Sequence, residues 1–219
     1  MLSFSMDVDL ARFEPGVFWT WFLPSQIVCS GDSGLVAGTQ FTAGGVDFTA
    51  CGVQDGHVIW LESTDQTLRG AFEVVEVVDA THLKVSVVRV DATQPVLPVG
   101  SASGLTWRIV SYAVQGYEVL WRMSQRLGLS PGCAGAEHAV EDIVNPAALR
   151  QASVFGTLAL VFQAMHQGLD GQAILQEKAE HYQRQFDQAL NRLRVNIDTN
   201  DDTHPDQTRR PDTLRLCRK

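Results

Sequence analysis

The strongest constraint on the fold of this chain is an apolar stripe near its C-terminal end. Apolar side chains recur in steps of three and four residues at Leu175, Ala179, Tyr182, Phe186, Ala189 and Leu193. This spacing places them on one face of a helix, and polar residues such as Glu177 and Arg184 occupy the opposite face. The predicted packing residues of this long helix are Leu175, Tyr182, Phe186, Leu190 and Leu193.

The segment that follows the long helix changes character twice. Residues 198–206 are rich in short polar side chains that compete for backbone hydrogen bonds, so the helix is expected to end before them. Residues 208–219 are basic and contain few core-forming side chains, which is typical of a segment that belongs to a partner or is disordered. The prediction is an extended C-terminal tail over residues 198–219.

Charge is distributed unevenly along the 219 residues. The chain carries a formal net charge of -8, but residues 209–219 hold five basic side chains against a single acidic one, Asp212. The rest of the chain therefore carries a formal net charge near -12. A body this acidic repels nucleic acid, whereas the basic end favours an acidic surface.

The first 26 residues form an unusually aromatic lead-in, called here the aromatic arm. A short helix is expected over residues 7–14, and Pro15 with Gly16 should end it. The arm is expected to pack either on its own core or on a neighbouring copy, and its candidate inter-subunit contacts are Phe18, Trp19, Trp21 and Phe22. Its apolar run, residues 17–23, is far shorter than the roughly 20 residues of a membrane span, so no membrane association is expected.

Residues 27–113 predict a small antiparallel β-barrel or sandwich. Six short runs rich in β-branched and aromatic residues read as strands, at 39–42, 46–51, 57–61, 71–78, 83–90 and 105–112. No helical pattern separates them, which argues against a parallel sheet. Residues 91–103, with two prolines, are expected to form a surface loop.

Helical periodicity returns at Val114 and predicts a helical domain over residues 114–197. A helix is expected up to Leu127, a second begins at Asn145–Pro146, and a short turn at residues 168–171 folds the long helix back as an antiparallel hairpin. The predicted class is α+β: an antiparallel helical bundle core, the β domain of residues 27–113 inserted into it, and the extended tail.

Two short motifs suggest chemistry. Gly31-Asp-Ser-Gly34 resembles the nucleophile block of GDSL-type esterases, and residues 201–204 match their Asp-x-x-His block, which would make Ser33 and His204 catalytic. The alternation of strands and helices that this fold requires is missing between Gly34 and Tyr112, so a glycine-rich turn into a strand explains the first motif more simply. No enzymatic activity is therefore expected, and the esterase is the alternative.

Metal and cofactor binding are not expected either. Asp198, Asn200 and Asp202 have the alternating spacing of a calcium loop, but Thr203 and Arg209 occupy the positions of its glycine and its bidentate glutamate. A capping turn is the favoured interpretation. The four cysteines are far apart and the six histidines show no ligand spacing.

Several stretches together resemble the head-tail connector, or adaptor, proteins of tailed bacteriophages. The resemblance is carried by Asp9-Leu10 with Glu14-Pro15, by Gly56-His-Val-Ile59, by Ala80-Thr-His-Leu-Lys-Val-Ser86, and above all by the helix of residues 177–194 with the acidic turn and Arg209-Arg210 behind it. It spans most of the chain. Thr203 departs from it, because related sequences often carry glycine there.

The resemblance implies a structural role in the neck of a virus particle made in the host bacterial cytoplasm. Copies of the chain would form a ring, usually of twelve, that joins the portal protein to a downstream tail or stopper protein while DNA passes through the channel without specific binding. A C-terminal segment would reach into the portal. The residues it assigns to portal docking are Arg209, Arg210, Leu214, Arg215, Leu216, Arg218 and Lys219.

Overall fold

The computed structural model describes residues 3–129, 138–168, 173–200 and 202–211. The chain divides into two compact units. Met6–Tyr112 form one, called here the barrel unit, and Met1–Ser5 with Ala113–Lys219 form the other, called the helical unit.

The barrel unit is a closed antiparallel barrel of six strands. After a short helix, α1 (Asp7–Ala11), and two 3-10 turns, the strands are β1 (Ile27–Gly38), β2 (Gln40–Ala43), β3 (Val58–Glu62), β4 (Arg69–Val77), β5 (His82–Val87) and β6 (Gly100–Val110). They are hydrogen-bonded in the order β1-β2-β5-β4-β3-β6, and β6 pairs again with β1. Every strand therefore has two neighbours.

Alternating side chains fill the interior of the barrel. Val36, Phe41, Leu61, Val85 and Ile109 are fully buried, as expected for the inward positions of strands with period two. Phe41, Phe48 and Trp107 meet edge-on or tilted, with ring centroids 5.6 to 6.1 Å apart. The barrel thus contains a hydrophobic core of its own.

The helical unit consists of three longer helices and a small hairpin. The helices are α2 (Ala113–Arg126), α3 (Arg150–Gly168) and α4 (Ala173–Arg192), and the hairpin pairs β7 (Val195–Ile197) with β8 (Gln207–Arg209). α3 packs against both other helices. Tyr182 of α4 lies parallel to Phe162 of α3, with ring centroids 5.8 Å apart.

The predicted architecture of a helical bundle core with an inserted β module is wrong. The β strands close into a barrel and bury their own core, so they form a compact unit rather than an appendage of a bundle. The tail is not fully extended either, because residues as far as Arg209 lie in the β7–β8 hairpin. The molecule is α+β, with a closed barrel and four α-helices among the described residues.

Two strand predictions were also wrong in detail. Residues 46–51 form no strand: Phe48 fills the barrel core, while the Asp47 carboxylate accepts a hydrogen bond from the backbone N–H of Ala50 in a turn. Gly31–Gly38, expected as a turn into a strand, belongs to the twelve-residue strand β1.

Candidate interaction surfaces

The C-terminal hairpin is held against its own unit by backbone hydrogen bonds. Ile197 of β7 bridges to Ile143, the Val144 N–H donates to the Asn196 carbonyl at 3.0 Å, and the Asp198 N–H donates to the Asp142 carbonyl at 2.9 Å. These contacts fix the path of the chain beyond α4.

The acidic loop between β7 and β8 is organised by its own side chains. The Asp198 carboxylate accepts hydrogen bonds from the N–H groups of Asn200 and Thr203, at 3.0 and 2.7 Å. Thr203 adopts a φ of 67°, the left-handed conformation that favours glycine. In the described part of the loop, short side chains thus accept backbone N–H groups in tight turns, and no group of three potential metal ligands occurs among the described residues.

Arg209 has a role inside the helical unit. Its Nη1 donates to the carbonyl oxygens of Gly128 and Leu127, at 3.1 and 3.4 Å, just beyond the C-terminus of α2. A cation suits this end of a helix because the last carbonyls lack intrahelical partners. Arg210, the next predicted docking residue, is exposed. Leu214, Arg215, Leu216, Arg218 and Lys219 lie outside the described residues.

The predicted packing residues of α4 lie inside the helical unit. Leu175 and Leu190 are fully buried, and Tyr182, Phe186 and Leu193 are at most 8% exposed. The stripe is therefore used within the unit.

The aromatic arm packs on the barrel of its own chain. Phe18 is fully buried against Tyr112, with ring centroids 5.4 Å apart, and Trp19 stacks on Trp60 at 4.8 Å. Tyr112 also places its hydroxyl 2.7 Å from the carbonyl oxygen of Val17. Trp21 and Phe22 remain half-buried at the surface.

Two arginines that sequence reasoning missed lie on these aromatic rings. The guanidinium of Arg69 lies 4.5 Å from the centroid of Trp19, and that of Arg108 lies 4.2 Å from the centroid of Phe22, both within cation–π range. Arg69 also contacts the Glu62 carboxylate at 3.4 Å. Burial lowers the pKa of Arg108, and its Nε–H is buried without an acceptor. The strand register places Arg108 opposite Trp60, and Trp19 of the arm stacks on Trp60, so residues that are distant in sequence meet here.

A buried ion pair organises the loop between β5 and β6, residues 88–99, called here the 88–99 loop. Arg89 and Glu73 are at most 6% exposed, and two nitrogens of the guanidinium donate to the two carboxylate oxygens at 2.7 and 3.1 Å. The remaining nitrogen, Nη1, donates to the carbonyl oxygens of Ala92 and Gln94. Such bidentate geometry fixes the loop from inside.

A second buried carboxyl belongs to α1, the first element of the barrel unit. Asp7 of α1 accepts a hydrogen bond from the Tyr112 N–H at 2.9 Å. Burial raises the pKa of Asp7 to about 7 against the lowering effect of hydrogen bonds from Tyr112 and Ser111. This carboxyl therefore titrates near neutrality.

The Gly-Asp-Ser-Gly motif lies within β1, opposite a register shift in its pairing with β6. A Cβ on Gly31 would lie 2.9 Å from Nε1 of Trp107, and one on Gly34 would lie 2.7 Å from Cε2 of Phe41, so packing alone accounts for both glycines. Ser33 is exposed. His204 belongs to the other unit, and its N–H donates to Asp202. The esterase alternative stays an untested prediction.

Comparison with known proteins identifies no relative: no family model, curated protein or solved structure matches the chain. Within the described ranges, no helix combines the length and the apolar character needed to cross a membrane.

Proposed function

We propose that the chain is a structural protein of a tailed-phage particle, a head-tail connector whose copies form a ring between the portal and the tail. It has no catalytic role in this proposal. The observation that carries it is the position of the basic segment: the C-terminal hairpin holds the chain as far as Arg209, and the basic residues Arg210 to Lys219 come directly after that fixed point.

The charge distribution supports this role. A basic segment beyond an acidic body suits docking on an acidic surface of a portal protein, because the body itself offers no competing basic region of similar density. The acidic body also suits the wall of a DNA channel, since attraction to phosphate would slow passage of the genome. Arg209 is already hydrogen-bonded to the end of α2. We therefore expect Arg210 and the residues after it to make the docking contacts.

The test uses the full chain and the portal protein of the same virus. Purified portal is mixed with the intact chain, with a chain that ends at Pro211, and with a chain in which Arg210, Arg215, Arg218 and Lys219 are replaced by glutamine. Both altered chains should lose docking while their thermal unfolding stays unchanged. A matched variant, Arg122→Gln, removes an exposed arginine on α2 and should dock normally. Docking of the shortened chain at full strength would refute the role of the tail, and failure of the intact chain to bind portal would refute the proposed function.

A further inference from the structure

The barrel unit exposes apolar side chains on the 88–99 loop, whose backbone is held by side-chain hydrogen bonds. Val90 is 76% exposed and Leu97 is 44% exposed. The ion pair of Arg89 with Glu73 holds the backbone beneath them, and the Arg12 side chain donates to the Arg89 carbonyl at 2.6 Å. An apolar surface that is already ordered loses little conformational entropy on binding, which is the property of a contact surface.

Charge restricts what this surface can meet. No charged residue occurs from Ala92 to Trp107, and none occurs in the arm and the start of β1 from Pro15 to Gly31. Copies of a chain with a net charge of -8 repel one another, so contact between them is favoured where both surfaces lack excess negative charge. The aromatic arm is such a surface, and the exposed charge of the 88–99 loop is limited to Asp91, because Arg89 is buried and paired with Glu73.

The two surfaces also differ in a complementary way. The barrel unit holds twelve acidic and five basic residues. Four of the five cations form ion pairs within the unit, with Asp9, Glu62, Glu76 and Glu73. Arg108, on the arm surface, has no carboxylate within 4.0 Å in the described part of the chain, whereas the 88–99 loop carries the exposed carboxylate of Asp91.

We propose that the 88–99 loop of one copy docks on the aromatic arm of a second copy. Val90 and Leu97 contact the exposed edges of Trp21 and Phe22, and Asp91 pairs with Arg108. Because the two surfaces are different, the contact is head-to-tail and can close into a ring. This inference rests on the self-association in the proposed function and names the residues that perform it.

Photo-crosslinking of the full chain tests the contact directly. The photoreactive residue p-benzoylphenylalanine replaces Val90, and unlabelled and nitrogen-15-labelled copies are mixed, so that crosslinks of mixed isotope are intermolecular. We expect mixed crosslinks from position 90 to residues 15–26. The matched control places the same group at Val78, which is 54% exposed on the same unit and should give none to the arm. Absence of mixed crosslinks, or mixed crosslinks only to other segments, overturns the inference.

Charge exchange provides the second test. Asp91→Arg and Arg108→Asp should each lower the yield of mixed crosslinks about tenfold, the effect of about 1.4 kcal/mol, and the double exchange should restore it. Equal losses in all three variants overturn the pairing of Asp91 with Arg108. Portal binding of the intact chain is measured in parallel: docking without crosslinks overturns this inference alone, and crosslinks without docking overturn only the proposed function.

Discussion

Replacement of Asp7 by asparagine should remove a specific pH dependence from the stability of the barrel unit. Asp7 is 6% exposed and accepts the backbone N–H of Tyr112. Burial is the main cause that raises its pKa from 3.8 to about 7. An asparagine of nearly the same shape has an amide oxygen that can accept the same hydrogen bond and carries no charge at any pH.

The sign and size of the effect follow from the two pKa values. Between pH 3.8 and about 7 the folded protein retains a proton that the unfolded chain has released. Stability therefore falls as pH rises: the contribution of the neutral carboxyl is fully present below the unfolded value and is lost as pH rises through the folded one. A difference of about three pKa units corresponds to roughly 4 kcal/mol.

The assay compares denaturant unfolding of the two proteins from pH 4 to pH 8. A Trp121→Phe background restricts the fluorescence signal to the barrel unit, because the other four of the five tryptophans lie there. The free energy of unfolding of Asp7→Asn minus that of the parent should grow by about 4 kcal/mol over this range. Other titrating groups cancel in the difference. Asp32→Asn, at an exposed position of β1, is the matched control. A difference that stays flat from pH 4 to pH 8 would refute the reasoning.

Three further substitutions test other parts of the structure. Gly34→Ala should lower the free energy of unfolding, measured with denaturant, by about 1–3 kcal/mol, because its Cβ would lie 2.7 Å from the Phe41 ring. Gly44→Ala, with open space around it, should change that free energy by no more than about 0.5 kcal/mol. Equal losses in the two variants would contradict the packing argument. Thr203→Gly should remove the strain of the left-handed φ of 67° and stabilise the C-terminal hairpin by about 1 kcal/mol. The measurement is hydrogen exchange at the amide of residue 203, which should become slower. Faster exchange at that amide would contradict the prediction. Arg209→Ala should speed amide exchange in β8, since it removes the hydrogen bonds to the end of α2, at a cost of about 1 kcal/mol; unchanged exchange would show that those bonds contribute little.

Periodicity was sufficient to locate the helices but not all of the strands. The stripe from Leu175 to Leu193 identifies the buried face of α4 because the whole pattern is local. β1 was not predicted as a strand, since Gly31 and Gly34 interrupt its β pattern. The reason for those glycines is the close approach of the Trp107 ring, which is distant in sequence, and of the Phe41 ring on the neighbouring strand β2.

The predicted architecture failed for a related reason. Closure of the barrel depends on the pairing of β1 with β6, whose residues are about 70 positions apart, and no short-range pattern encodes that pairing. The candidate interaction surfaces could not be predicted from the sequence for the same reason. The pairing of Arg89 with Glu73, the position of Arg108 beside Trp60 and the contact of Arg209 with α2 all join residues that only the tertiary fold brings together.

Closure of the barrel also limits how this chain can aggregate. An open sheet presents unpaired N–H and C=O groups at its two edges, and these can template strand addition from another chain. In the barrel unit each strand is paired on both sides, and in the described part of the helical unit the two strands of the hairpin, β7 and β8, are only three residues long each. The barrel unit therefore offers no open sheet edge on which a strand of another chain could be added.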